Sequence, residues 1–362
     1  MIAGIIGAAG YAGAELIRLL EAHPDISGLT LASVSRPGER ISGIYPNLFR
    51  HGRTKFGEGI LVTPEELIAS SDIVFGALPA GAGEVYAKAC LDRGISYIDL
   101  AADFRFDGDE ETYKTWYGKN WQYPELRRSS VYGLPELNRE RIKELKTAGP
   151  VIIGNPGCYP TAVSLACYPL LAKNARPPVE LKPDAVIIAD AISGVTGAGR
   201  EPGRAYHFPE CADSVSPYKV GVHRHTPEIS RNLAQMAGRP VPLVFTPHLG
   251  PYNRGILATV YLPLRDSAED RLPLIREHYV SFYRDEPFVR VLEDGLYAAT
   301  NRVRLSNYGD ISVHPDQTGT MLIIAAAIDN MVKGAAGQAV QNMNILCGFE
   351  ETAGLLALPA VF

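Results

Sequence analysis

The chain has 362 residues, a formal charge of -5 at pH 7 and five cysteines. That length exceeds what one core usually fills and predicts two domains, while interspersed charge of both signs offers no basic patch for nucleic acid or an anionic membrane and leaves a small molecule as the expected partner. Cys90, Cys158, Cys167, Cys211 and Cys347 lack paired spacing, the first apolar stretch is too short for a leader, and no run of about 18 apolar residues follows, so a soluble cytoplasmic protein without disulfides or membrane span is expected.

In chain order, short apolar strands at 2–6, 29–35, 73–77, 97–99 and 151–154 alternate with helical patterns at 12–22, 63–69 and 83–92. This βαβ order predicts an α/β fold with a parallel sheet covered on both faces and ligands beyond the carboxyl ends of its strands. Past about residue 160 the texture changes to longer β-rich runs at 185–191, 241–247, 255–262 and 318–328, read as a separate α+β substrate domain. The stretch 329–348 is helical in pattern, and its small-residue face could pack back on the first domain.

The first strand runs into Gly7-Ala8-Ala9-Gly10-Tyr11-Ala12-Gly13, and a helix follows. Alone, three spaced glycines read as a structural turn. Between a strand and a helix they permit a pyrophosphate to approach the helix N-terminus, so Gly7, Ala9, Gly10, Tyr11 and Gly13 are expected at a dinucleotide. The second strand ends in Ser33-Val34-Ser35-Arg36, with no carboxylate for a ribose hydroxyl; Ser35 and Arg36 favour NADP(H) over NAD. Leu78 and Pro79, at the end of the third strand, either pass close to the nicotinamide riboside or belong to a plain loop. After the fourth strand, Arg105 is either a ligand for a substrate carboxylate or one half of an internal ion pair with Asp103.

The run Gly154-Asn155-Pro156-Gly157-Cys158-Tyr159-Pro160-Thr161 sets a cysteine between a strand and a helix. Little bulk covers the sulfur and the opening amides of the helix point at it, a setting that favours a thiolate. A nucleophile and a buried structural cysteine are both open readings. Further on, Val222-His223-Arg224-His225-Thr226-Pro227-Glu228-Ile229 carries two imidazoles two residues apart, which an extended segment would turn to one side for proton transfer or substrate binding. Zinc held by His207, Cys211, His223 and His225 is the weaker reading, because the spacing is irregular, and no metal is expected. His23, His51, His278 and His314 are read as surface or core residues.

Taken in order, these stretches resemble the N-acetyl-gamma-glutamyl-phosphate reductases of arginine biosynthesis, in the wider superfamily with aspartate-semialdehyde dehydrogenase. The matches include 7–16, 99–106, Tyr132-Gly133-Leu134-Pro135-Glu136-Leu137-Asn138, 155–161, Ser193-Gly194-Val195-Thr196-Gly197-Ala198-Gly199-Arg200, 223–229, Pro247-His248-Leu249 with Arg254-Gly255-Ile256, and 329–344. The resemblance implies a Rossmann-type NADP-binding domain at 1–156 plus 330–362, and a second α+β substrate and dimerisation domain at 157–329. It implies that Cys158 is the nucleophile, that His223 and His225 lie opposite it, and that the segment around Asn330 returns to the cofactor.

NADPH would then reduce an acyl phosphate to an aldehyde through a Cys158 thioester, in a homodimer or homotetramer. Arg105, Asn155, Ser193, Gly194, Arg200 and Arg254 are the expected substrate ligands, with the arginines as cations for carboxylate and phosphate. Two positions depart from the family pattern: Ala80 stands where His is typical and Thr196 where Ser is common. The rival readings are a reductase of aspartyl phosphate or of carrier-linked aminoadipyl phosphate, and a non-catalytic NADP-binding sensor that uses Cys158 for redox.

Overall fold

The computed structural model describes residues 1–49, 54–106, 108–268 and 270–361; His51 lies outside the described residues. They form two units, Met1–Gly157 with Ala335–Ala357, and Cys158–Gly334 with the residues from Leu358 onward.

The first unit is built on six parallel strands: β1 (Ile2–Ile6), β2 (Gly28–Ala32), β3 (Ile73–Gly76), β4 (Ser96–Asp99), β5 (Ser130–Tyr132) and β6 (Ile152–Gly154), in the order β2-β1-β3-β4-β6-β5. Every residue of β3 and β4 is buried, as strands covered on both faces require. The order reverses at β1, so the turn leaving it opens on the crevice where such sheets bind ligands. Helices Tyr11–Glu21, Pro64–Ser70 and Glu84–Leu91 lie close to their expected positions. The second of these opens on a capping box: Glu66 N donates to Thr63 Oγ1 at 3.3 Å and Thr63 N donates to the Glu66 carboxylate at 2.9 Å.

Besides the short helical turns Ile41–Ile44, Pro46–Leu48 and Pro124–Ser129, three larger or sheet-forming elements of this unit escaped the sequence reading. Strand β5 is only three residues long, the charge-rich helix Glu110–Tyr117 buries Tyr113 alone, and the polar helix Pro135–Ala148 shows only a thin apolar stripe. A buried ion pair joins Arg127 to Glu84 at 2.5 Å, and the guanidinium stacks over Trp121 and Phe104. The expected helix over 329–348 is split: a wide π turn at Val332–Ala336 precedes the α-helix Gly337–Cys347. Within that helix Gln338, Gln341, Asn342 and Asn344 are fully buried. Hydrogen bonds compensate three of them, Gln341 Nε2 donating to Glu351 Oε1 at 2.8 Å, Asn342 Nδ2 to Gly133 O at 2.8 Å and Asn344 Oδ1 pairing with His23 Nε2 at 2.8 Å, whereas the Gln338 amide finds no partner among the described residues.

The second unit carries a seven-stranded mixed sheet: β7 (Ile187–Ser193), β8 (Ser216–Pro217), β9 (Leu243–Leu249), β10 (Ile256–Pro263), β11 (Val289–Val291), β12 (Gly309–Pro315) and β13 (Met321–Ile328), ordered β11-β12-β13-β10-β7-β9-β8. Burial alternates along β10, so one face is covered and the other open. The cover is the helix Cys158–Leu171, buried almost all round. Helix Thr226–Ala237 locks to it through Asn232 Nδ2 to Ser164 Oγ at 3.0 Å, and helix Leu272–Phe282 through Tyr279 OH to Ala166 O at 2.8 Å.

Candidate active site

The β1 turn has the shape a pyrophosphate needs. Gly7 takes φ +86°, and a Cβ there would strike the Ala77 carbonyl. At Gly13 a Cβ would fall 2.7 Å from Ala8 Cα, so both positions exclude a side chain. Gly10 is the N-cap of helix Tyr11–Glu21 and offers no side-chain cap, so the first-turn amides suit an anion. Tyr45 OH donates to Ala9 O at 3.0 Å and steadies the turn. Ser35 and Arg36 lie exposed just past β2, with Arg36 Nη1 at 3.3 Å from Glu39.

Past β3, Leu78 is half-buried and Pro79 exposed. The loop they begin is gripped by Asp103, which accepts from Gly81 N at 2.6 Å, Gly83 N at 2.9 Å and Tyr113 OH at 2.8 Å. Burial, then the neighbouring Asp103, holds the Asp99 carboxyl well above the usual range. Arg105, expected at a substrate carboxylate, is buried and donates to backbone: Nε to Asn155 O at 2.8 Å and Nη2 to Leu100 O at 3.0 Å. Asn155 is buried as well, its Nδ2 donating to Ala335 O at 3.0 Å.

Cys158 is the first residue of helix Cys158–Leu171 and is half-buried. It differs in setting from Cys90 and Cys167, whose thiols burial pushes up to about 12 and makes inert. Next to it, Tyr159 OH donates to His248 O at 3.2 Å and accepts from Tyr218 OH at 3.2 Å. The Tyr159 ring meets His223 edge-on at 5.6 Å and His225 at 5.9 Å, and the two imidazoles are 5.0 Å apart.

The histidines are gathered by a turn and not by the expected extended segment. Pro227 starts a helix at Thr226, with His225 as its N-cap, so both rings sit on the turn that enters the helix. His223 is buried, and its Nδ1 accepts from His225 N at 3.1 Å, which places the ring proton on Nε2. Burial, with Lys219 and Arg224 nearby, pushes its pKa down to about 4.

Strand β7 delivers Ser193, whose Oγ donates to Gly194 O at 3.0 Å. A Cβ on Gly194 would sit 2.5 Å from Asn253 O and 2.8 Å from Arg254 N, so the two loops touch backbone to backbone. Asn330, expected at the cofactor, is buried with both ends of its amide engaged: Oδ1 accepts from Gly255 N at 2.7 Å and Nδ2 donates to Thr196 Oγ1 at 3.0 Å. Thr196 thus keeps the use of its hydroxyl. Arg254 lies 3.7 Å from Asp329, and Arg200 is exposed at the end of the loop.

His207 and Cys211 flank an exposed short helix, and among the described residues no three His, Cys, Asp or Glu side chains gather as a metal set. His278 caps Pro169 O at 2.7 Å and His314 stacks on Tyr297. Sequence reasoning gave Tyr159 and Tyr218 no role. Tyr159 lies inside the cysteine motif, but nothing in the local pattern marks Tyr218.

Comparison with known proteins identifies the family. The semialdehyde dehydrogenase NAD binding domain matches residues 2–145, and the semialdehyde dehydrogenase dimerisation domain matches residues 158–330. The N-acetyl-gamma-glutamyl-phosphate reductase of Clostridium kluyveri is 47% identical over 359 residues, and that of Brachyspira hyodysenteriae 46% over 362, each pairing covering 99% of both chains. The structure of aspartate semialdehyde dehydrogenase II complexed with ASA from Vibrio cholerae superposes with a TM-score of 0.71 at 16% identity, over 96% of this chain and 98% of that one, a likeness of fold alone. With nearly half of its residues identical from end to end, the chain belongs to the N-acetyl-gamma-glutamyl-phosphate reductase family.

Proposed function

We infer that the chain reduces N-acetyl-gamma-glutamyl phosphate to N-acetylglutamate semialdehyde, with NADPH, in arginine biosynthesis. The observation that carries the reading is Cys158 opening a buried helix beside Tyr159, around which both imidazoles of the 223–225 turn are gathered, in a chain 47% identical to such a reductase.

The Cys158 thiolate attacks the acyl carbonyl, the bond from carbon to the phosphate oxygen breaks, and the departing phosphate takes a proton from water. The Gly7–Gly13 turn, with Ser35 and Arg36 for a 2′-phosphate, would hold the nucleotide, which would supply the hydride that reduces the thioester carbon. The resulting oxyanion expels the sulfur as aldehyde forms, and Cys158 recovers the proton it gave up to a histidine. One hydrogen bond supports a division of labour between the imidazoles. His223 is a neutral ring whose Nδ1 is occupied by an N–H, so its Nε2–H is a fixed donor suited to a substrate oxygen. His225 is then the proton carrier.

Arg200 and Arg254 supply cations for the substrate's carboxylate and phosphate, with Ser193 and Gly194 shaping the pocket. Arg105 and Asn155 serve it by holding backbone. The working units are Met1–Gly157 with Ala335–Ala357 for the nucleotide and Cys158–Gly334 for the substrate, so residues 330–334, expected with the first domain, go with the second. A homodimer or homotetramer is favoured by the open sheet face, where Ile323, Tyr261, Ile188 and Val244 form an apolar row across four strands. No helix among the described residues is long and apolar enough to cross a membrane, and a cytoplasmic setting suits the unpaired spacing of the cysteines.

The test is the reverse reaction: NADPH formation from N-acetylglutamate semialdehyde, NADP and phosphate. The parent protein should form NADPH only with phosphate present, and Cys158→Ala should lose roughly four orders of magnitude or more while still binding NADP. Turnover by the variant would sink the mechanism. No signal with this aldehyde but activity on the aspartyl or carrier-linked substrate would replace the substrate.

A further inference from the structure

The π turn at Val332–Ala336 has an identifiable cause and an identifiable target. Asp329 is fully buried and organises it: Oδ1 accepts from Met331 N at 2.8 Å and Val332 N at 3.1 Å, and Oδ2 accepts from Leu305 N at 2.7 Å. The Asp329 carbonyl accepts from Gly334 N, five residues on, at 2.9 Å, which is the widened ladder itself. Such insertions are rare and concentrate at functional sites.

Here the insertion brings backbone onto the cysteine. A Cβ built on Gly334 would lie 2.7 Å from Cys158 Cβ and 3.2 Å from Cys158 Cα. Neither atom is the free end of a side chain, since both are fixed by the start of helix Cys158–Leu171, so a methyl group at 334 would have to displace the cysteine. Gly334 has no positive φ, so glycine serves there by its lack of bulk and not by backbone freedom. We propose that the Asp329-held wide turn is a positioning device, and that Gly334, pressed against Cys158, sets where the thiol points. Gly334 is a positioning residue, and its role rests on Cys158 being the nucleophile.

The experiment compares the parent, Gly334→Ala and Cys158→Ala in turnover, NADPH affinity and the rate at which iodoacetamide alkylates Cys158, followed by peptide mass. Gly334→Ala should lower kcat by about 10- to 100-fold, since a displacement of under an ångström at a reacting atom has effects of that order. NADPH affinity should stay at the parent value, and the alkylation rate should change by about threefold or more. A folded Gly334→Ala protein with the parent's kcat and alkylation rate overturns the proposal, and if Cys158→Ala is inactive beside it the nucleophile reading survives. Cys158→Ala with full turnover overturns both.

Should Gly334→Ala yield no folded protein, Asp329→Asn decides. It adds no bulk near the sulfur but turns an amide donor toward Leu305 N, and it should lower kcat and shift the alkylation rate severalfold in the folded protein. Parent-like values in that variant overturn the proposal.

Discussion

The two units carry their chemistry in different materials. In the first, the features that suit a nucleotide are made of backbone: a turn at Gly7, a close pass at Gly13 and the uncapped start of a helix. In the second, the candidate site is made of side chains from Cys158, Ser193 and the 223–225 turn, far apart in sequence and carried by a mixed sheet, its covering helix and the start of another helix. A backbone site can be written in one short motif, whereas a side-chain site needs the whole topology.

The largest expected effect tests whether the first unit depends on polar packing as heavily as on its glycines. Glu84→Ala strands the buried Arg127 guanidinium and also removes the acceptor for Gln122 N and Tyr123 N. It should lower stability by about 3–5 kcal/mol, read as the urea midpoint; a shift below about 1 kcal/mol would show that the pair is dispensable. Smaller, and confined to the nucleotide, is Gly7→Ala. The left-handed φ and the Ala77 carbonyl oppose a methyl there, so KM for NADPH should rise about tenfold. The alkylation rate of Cys158 should stay at its parent value; if it moves instead, the backbone site and the side-chain site are not separate.

The last effect, read as a pH dependence of stability, concerns the second unit. The folded pKa of His223 is about 4 against 6.5 for a free imidazole, so between those values the unfolded chain binds more protons than the folded one. Stability therefore falls as pH drops from 6.5 toward 4 and gains no further slope from this group below that. His223→Gln should remove that part of the slope in a series of urea midpoints. An unchanged slope would mean that the ring is charged in the folded protein.

Much of the architecture was legible because it follows from period and punctuation. β1, β3, β4 and β6, with the helices between them, came from apolar runs bounded by turn residues, and so did β7, β9, β10 and β13 of the second unit, while β12 went unread. Elements too short or too polar to show a period, such as β5 and Glu110–Tyr117, did not. Cys158 was visible through its glycines and prolines. The histidine pair was visible as a pair, but the helix-start signal of Thr226-Pro227-Glu228 was overlooked and an extended segment put in its place. Asn330 was expected at the nucleotide, and nothing local tells that Gly255 N and Thr196 Oγ1 also engage its amide. Tyr218 and Gly334 acquire meaning only from what lies against them.

One feature of the first unit bears on how the molecule is made. Its sheet is complete once β6 ends at Gly154, yet the helix that satisfies Gly133 O and His23 is Gly337–Cys347. At about 5–20 residues per second a ribosome needs roughly 10–40 s to deliver that helix after the sheet is made. During that interval a nascent chain holds polar groups in a half-built core, open to chaperones and to wrong partners. A fragment stopped at Gly157 would be permanently in that state, so the natural minimal form of the nucleotide-binding unit is a splice of its two ends and not the N-terminal half.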